Sequence, residues 1–186
     1  MKEYGEDEKR LVWKVDEPVS ILKTPVFELL KQTETATNGV TGDYITMKAP
    51  DWVMTIPVIG DDFVLVKQWR HSLKDITMEF PGGVADSGEK MMQSALRELE
   101  EETGYRAHRI IKIGECNPNP ALFQNTFHIF LADELEGTGI QHLDHDEMID
   151  IVRVPIRQVI AEYGDGYYKH GLMGTALAFY MRHALL

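Results

Sequence analysis

Residues 79–105, EFPGGVADSGEKMMQSALRELEEETGY, place four glutamates within five positions directly behind Arg97. A helix over residues 89–103 would bring Glu98, Glu101 and Glu102 onto one face, because helical neighbours lie three and four positions apart. Carboxylates crowded in this way repel one another unless something neutralises them. A hard divalent cation, which takes oxygen ligands, does so well. An isolated ELEEE run is most often a solvated acidic surface. Here it follows a glycine-rich loop (Gly82, Gly83), Glu89 and Arg97, and that combination points to bound-metal chemistry.

The same stretch carries the signals of the element that must hold these groups. Met92, Ala95/Leu96 and Leu99 form an apolar stripe opposite the acidic face and would anchor the helix to a core. Asp86 and Glu89 have the spacing of a capping box, softened by Gly88, and Gly104 supplies a C-terminal stop.

The pattern resembles the signature of the Nudix hydrolase superfamily, G-x5-E-x7-R-E-U-x-E-E-x-G-U with U aliphatic. Gly83, Glu89, Arg97, Glu98, Leu99, Glu101, Glu102 and Gly104 meet it, and Tyr105 departs at the last position. The approach segment VLVKQWRHSLKDITMEFPGG is similar to the ADP-ribose pyrophosphatase and nucleotide-sugar hydrolase branch at Gln68, Trp69, Arg70, Glu79, Pro81 and Gly83. Pro120, past the box, also fits that branch. Ala121 to Asn125 depart from it, in a loop near the sugar end of the family's ligand. ADP-ribose and GDP-mannose therefore both stay open as substrates.

The resemblance implies roles. Glu98, Glu101, Glu102 and the Gly82 carbonyl would ligate two or three Mg2+ ions, with Mn2+ as a substitute. Arg97 and Glu89 would pair to hold loop and helix together around the catalytic box. Arg70 would bind phosphate through its fork. Glu79, Trp52, Phe123, Gln124 and Asn125 would line the substrate. Glu147, in HLDHDEMIDIVRVP, would orient the attacking water, with Asp146 and Asp144 as alternatives. His142 and His145 in that segment lack a cysteine partner and the spacing of a closed zinc site. The implied reaction is hydrolysis of a nucleoside diphosphate sugar to a nucleoside monophosphate and a sugar phosphate. The alternatives are a nucleoside triphosphate pyrophosphohydrolase acting on oxidised nucleotides, and a non-catalytic nucleotide sensor.

A length of 186 residues suits one domain with a small appended element. The net charge of −11 argues against nucleic-acid binding and makes local cations necessary for an anionic substrate. The single Cys116, the charged N-terminus and the lack of a long apolar run lead to the expectation of a cytoplasmic protein without membrane spans. Strands are expected over 10–16, 26–30, 44–50, 52–59, 63–69 and 149–155, and helices over 156–163 and 171–186. The expected fold class is α+β, an α/β/α sandwich with a mixed β-sheet between helices. Residues 1–45 form a small N-terminal β-element and 46–186 the Nudix hydrolase domain. The N-terminal element has too few apolar residues for a core of its own, and a homodimer is expected through it.

Overall fold

A computed structural model describes residues 4–186, and the chain divides into two compact units. The first comprises residues 1–50 and 117–125. It reaches Pro50 rather than 45 because β4 (Thr41–Lys48) pairs along β3 (Glu28–Ala36) as far as Lys48. Strands β1 (Trp13–Val15) and β2 (Val19–Lys23) share the other edge of β3, all antiparallel. The β3–β4 turn closes at Asn38-Gly39, where Gly39 takes a φ of 86°. A four-residue helix, α1 (Glu6–Lys9), precedes the sheet. Among the described residues of this unit, Leu30 is the one buried apolar side chain, and every residue of β2 is exposed.

The second unit spans residues 51–116 and 126–186. Its strands are β5 (Trp52–Ile59), β6 (Asp62–Arg70), β7 (Asp75–Glu79), β8 (Gly82–Val84), β9 (Tyr105–Cys116), β10 (Phe127–Gly137) and β11 (Ile149–Pro155). The order runs β11-β6-β5-β10-β9, with β5 and β10 parallel and the other pairs antiparallel. Strands β5 and β6 pair only beside their turn, at Val58↔Phe63 and Ile59↔Asp62. Beyond it they part: β6 takes β7 and β5 takes β8. The corner Phe80-Pro81, which joins β7 to β8, sits in the opening. Phe80 is buried edge-on against Phe63 with centroids 5.0 Å apart, and the Pro81 carbonyl accepts the Thr55 amide.

Alternation along β5 explains the layers. Met54 and Ile56 join the main core with Phe63, Phe127 and Ile129, against Met173 and Leu177 of α4 (Gly171–Leu185). Val53 faces the other way and packs with Ala95 of α2 (Met91–Thr103) and with Phe130. Successive strand residues point to opposite faces, so one strand serves two helix layers. A short α3 (Ile156–Glu162) buries Val159 in the main core.

Two details of α2 differ from the sequence expectation. The helix starts at Met91 with Lys90 as an extended N-cap, so Asp86 and Glu89 form no capping box. They close a turn instead, the Glu89 amide donating to the Asp86 carbonyl, with Gly88 at a φ of 85°. Met92 is exposed, and the buried stripe is Ala95, Leu99, Glu102 and Thr103 with Met91 against it. The helix ends where expected, at Gly104 in the left-handed region.

Candidate active site

The β7–β8 corner and α2 bring the acidic groups together. Gly82 and Gly83 run beside β5 and below the helix, and Gly82 needs to lack a side chain. A Cβ on Gly82 would sit 2.3 Å from the Val53 carbonyl oxygen, and one on Gly83 would sit 2.7 Å from the Glu98 carboxylate. The Gly82 amide donates to Glu102 Oε2 at 2.9 Å.

Arg97 organises the helix side. Its Nη1 donates to Glu98 Oε1 and to Glu101 Oε2, both at 2.9 Å. Its Nη2 reaches Glu89 Oε2 and the Val84 carbonyl, each at 3.3 Å. Glu89 in turn accepts Ser94 Oγ at 2.6 Å, so the loop is tied to the first turns of α2. Glu100 leaves the cluster and pairs with Arg106 at 2.6 Å.

Glu102 is 5% exposed, and its carboxyl is pushed up to about 8. Burial is the main cause, reinforced by the charges of Glu98 and Glu147 and opposed by the Gly82 amide and Arg70. Burial likewise raises Glu98, with Glu101 and Glu147 adding to it against Arg97. Three carboxylates thus face one another with too little positive charge among them. The donor set is all oxygen, which suits a hard cation. Among the described residues, no three His, Cys, Asp or Glu side chains converge tightly enough to define an ion position, since Arg97 draws Glu98 and Glu101 to itself.

Facing these groups across a cavity of about 360 Å3 are Gln68, Arg70, His142, Asp144 and Glu147. Asp144 and Glu147 bond reciprocally: the Asp144 amide donates to Glu147 Oε2 and the Glu147 amide to the Asp144 carbonyl, each at 3.0 Å. Gln141 pins the start of this loop by donating to the Glu102 carbonyl at 2.5 Å. Asp146 is absent from the cavity wall and lies 3.5 Å from the exposed His145.

Arg70 ends β6 and is gripped from behind. Its Nε donates to Glu79 Oε1 at 2.8 Å and its Nη2 to Oε2 at 2.7 Å. Thr77 Oγ1 adds a bond of 2.6 Å to Glu79 Oε1. Glu79 is 0% exposed. Burial alone would raise its carboxyl, but Arg70, His170 and Thr77 outweigh this and hold it below the usual carboxylate range. Glu79, expected against the ligand, here has both carboxylate oxygens on Arg70, with Thr77 and His170 beside them. The remaining guanidinium N–H groups stay available to an anion.

The other expected substrate residues divide. Trp52 lines a second cavity, beside Arg70. Phe123, Gln124 and Asn125 belong to the first unit. There the Gln124 side chain donates to Thr46 Oγ1, the Asn125 side chain to the Pro50 carbonyl, and Phe123 bridges to Met47. Two cavity residues had no signal in the sequence. His170 follows no motif and is brought to the site by the start of α4, and His142 was weighed only as a zinc ligand.

This fold and this acid-lined cleft define a class of protein, and comparison with known proteins agrees. The family described as the NUDIX domain matches residues 50–171, so the chain belongs to the Nudix family. Among curated relatives, the ADP-ribose pyrophosphatase of Bacillus subtilis (strain 168) is 32% identical over 142 residues, covering 75% of this chain and 77% of that protein. The ADP compounds hydrolase NudE of Escherichia coli (strain K12) is 26% identical over 125 residues, covering 66% and 68%. A crystal structure of an ADP compounds hydrolase superposes with a TM-score of 0.82 over 93% of this chain and 94% of that one. At 23% identity it supports the fold.

Proposed function

We propose that the protein hydrolyses the pyrophosphate bond of nucleoside diphosphate sugars with the help of Mg2+, releasing a nucleoside monophosphate and a sugar phosphate. The observation that carries this is one cavity in which Glu98, Glu101, Glu102 and Glu147 face the clamped Arg70. Carboxylates suit a cation, the fixed fork suits a phosphate oxygen, and together they suit a metal-bound pyrophosphate. The names of the relatives, an ADP-ribose pyrophosphatase and an ADP compounds hydrolase, support the same substrate class.

Glu98, Glu101, Glu102 and the Gly82 carbonyl are the groups that would hold Mg2+, or Mn2+ in its place. When bound, the cation supplies charge neutralisation for the phosphates. To hold it, Glu102 would give up the proton it keeps near neutral pH, and Glu98 and Glu101 would turn from Arg97. Glu147 accepts a proton from, and aims, the attacking water from the opposite wall. Arg70 holds the phosphate in place, and Glu79 and Thr77 hold Arg70.

We further assign residues 1–45 to homodimer formation, because the first unit exposes Val15, Val19, Ile21, Leu22 and Val26. Among the described residues, no helix is long and apolar enough to cross a membrane. The acidic charge and single cysteine fit the cytoplasm.

A panel of ADP-ribose, GDP-mannose, other nucleotide sugars and nucleoside triphosphates tests the reaction, with Mg2+ and with chelator. Nucleoside monophosphate should appear from the diphosphate sugars and only with metal. Turnover confined to triphosphates would replace this reading with the pyrophosphohydrolase one.

A further inference from the structure

The two oxygens of Glu79 are unevenly met. Oε1 accepts two donors, Arg70 Nε at 2.8 Å and Thr77 Oγ1 at 2.6 Å. Oε2 accepts one, Arg70 Nη2 at 2.7 Å. The carboxylate is wholly buried, whereas the Arg70 side chain is 38% exposed and lines the acid cavity. An anion bound in that cavity draws on the same guanidinium, and what Arg70 gives to it Oε2 loses. A buried carboxylate oxygen left without a donor is costly.

His170 stands where that donor is needed. Its Nδ1 is buried 3.3 Å from Oε2, outside hydrogen-bond alignment, and has no other partner. An open buried donor thus lies against a carboxylate oxygen that holds a single bond. The last torsion of a histidine is soft, so turning the ring into line takes little. Burial first, with Arg70 adding to it and Glu79 opposing, holds the imidazole below its ordinary range, so near neutral pH it is a neutral donor. The adjacent carboxylate selects the tautomer with its proton on Nδ1.

The backbone that delivers His170 is fixed to the strand that delivers Glu79. In the connection 163–170, the Tyr167 carbonyl accepts the Met78 amide of β7 at 2.9 Å, and Lys169 pairs with Asp75 at 3.2 Å. Lys67 of β6 lies 4.7 Å from the centre of the Tyr167 ring, and Tyr168 is buried in the main core. His170 itself is the N-cap of α4, its carbonyl accepting the Gly174 amide at 3.3 Å.

We propose that His170 is a positioning residue for Arg70: its Nδ1–H closes on Glu79 Oε2 when the guanidinium leans toward a bound phosphate, so that the clamp through Oε1 holds. The phosphate as ligand rests on the chain acting on nucleoside diphosphate sugars.

The test uses the full chain with His170→Leu, which cannot donate, and His170→Asn, whose amide N–H falls near the place of Nδ1. Circular dichroism and melting temperature establish that both fold. With ADP-ribose and Mg2+, His170→Leu should raise KM by about tenfold, the order of one hydrogen bond to a charged group, and change kcat little. His170→Asn should stay near the wild type. In a Glu79→Gln background, His170→Leu should add nothing further, because a residue that acts through Glu79 is coupled to it. A helix cap or packing group would weaken both backgrounds alike.

Calorimetric binding of inorganic pyrophosphate in Mg2+ needs no turnover and separates this from the functional reading. A pyrophosphate affinity that falls about tenfold in His170→Leu and returns in His170→Asn, with no nucleotide sugar hydrolysed, would sink the reaction and keep the positioning role. Hydrolysis with an unchanged KM in His170→Leu would do the reverse. An equal effect with and without Glu79, or a wild type that does not bind pyrophosphate, also overturns the positioning role.

Discussion

Arg70 and Glu79 form a two-bond pair, 2.8 Å and 2.7 Å, in which the carboxylate is wholly buried and the guanidinium stays 38% exposed toward the site. The pair explains how an acidic protein presents a fixed cation to its acid-lined cavity. The buried partner removes the rotational freedom of the long side chain before the ligand arrives, which is preorganisation.

Loosening this pair should show in substrate binding. Glu79→Gln keeps shape but donates where it should accept, so Arg70 loses its anchor. KM should rise by about tenfold while kcat changes less, the pattern of lost uniform binding. Arg70→Lys, which keeps the charge but not the fork, should do as much. Steady-state kinetics on the best nucleotide sugar decide it. An unchanged KM in Glu79→Gln would remove the clamp from the account.

The same pair predicts an acid limb in stability. The Glu79 carboxyl is held below its ordinary value in the fold. Between that folded value and the unfolded one, the unfolded chain binds more protons, so stability rises with pH there. The contribution is fully present above about 4.5 and is lost as pH falls through the folded value. Melting temperature followed from neutral pH downward should show this loss in the wild type and a flatter limb in Glu79→Gln. Parallel curves would place the acid sensitivity elsewhere.

Glu102 is the most informative metal-site position. It is buried, and near neutral pH it retains its proton in the metal-free protein, so Glu102→Gln is close to isosteric with the state already present. The variant should fold with an unimpaired melting temperature in chelator. Mg2+ should raise the melting temperature of the wild type and not that of the variant, since a ligand that binds the native state alone stabilises it. Turnover should fall about a hundredfold, or about 3 kcal/mol in the barrier. More than half the wild-type rate at saturating Mg2+ would reject Glu102 as a ligand.

Much of this site was legible because the box is local. The glutamates, Arg97 and the Gly104 stop lie within one helix and its flanks, where spacing alone sets the geometry. The start of α2 was not, because Gly88 at positive φ lets Asp86 and Glu89 close a turn while Ser94 and Arg97 claim the Glu89 side chain. Strands β9 and β10 were also missed. β9 is largely exposed and rich in charge, and β10 owes its place to a parallel pairing with β5, a contact that no local pattern reports. The tie between Arg70 and Glu79, and the arrival of His170 from the chain's last helix, depend likewise on how distant segments meet.

The loop of Asp144 and Glu147 yields a comparison among neighbours. Both line the acid cavity and Asp146 does not. Glu147→Gln should cut kcat and leave KM nearly unchanged, because an oriented water matters in the transition state. Asp144→Asn should have a smaller effect, because both of its bonds to Glu147 run through the Asp144 backbone and survive the change, and Asp146→Asn almost none. A larger defect at Asp146 than at Glu147 would require the loop to rearrange on binding.

The last prediction concerns the N-terminal unit. Val19 and Ile21 lie two apart on β2, which among the described residues pairs only with β3, and Val19 is 64% and Ile21 51% exposed. Leu22 follows after a register shift in the β2–β3 pairing and is also open. An apolar edge strand left in water invites pairing with another chain unless something covers it. A second copy of the protein is the occupant we assign, which predicts a dimer in light scattering at micromolar concentration. Placing charges on this strand, as in Val19→Lys with Ile21→Glu, should shift the mass toward the 21.2 kDa of one chain without loss of secondary structure. Activity measured on that monomer then tells whether the dimer contributes to the site. A wild type already at 21.2 kDa would end the dimer proposal outright.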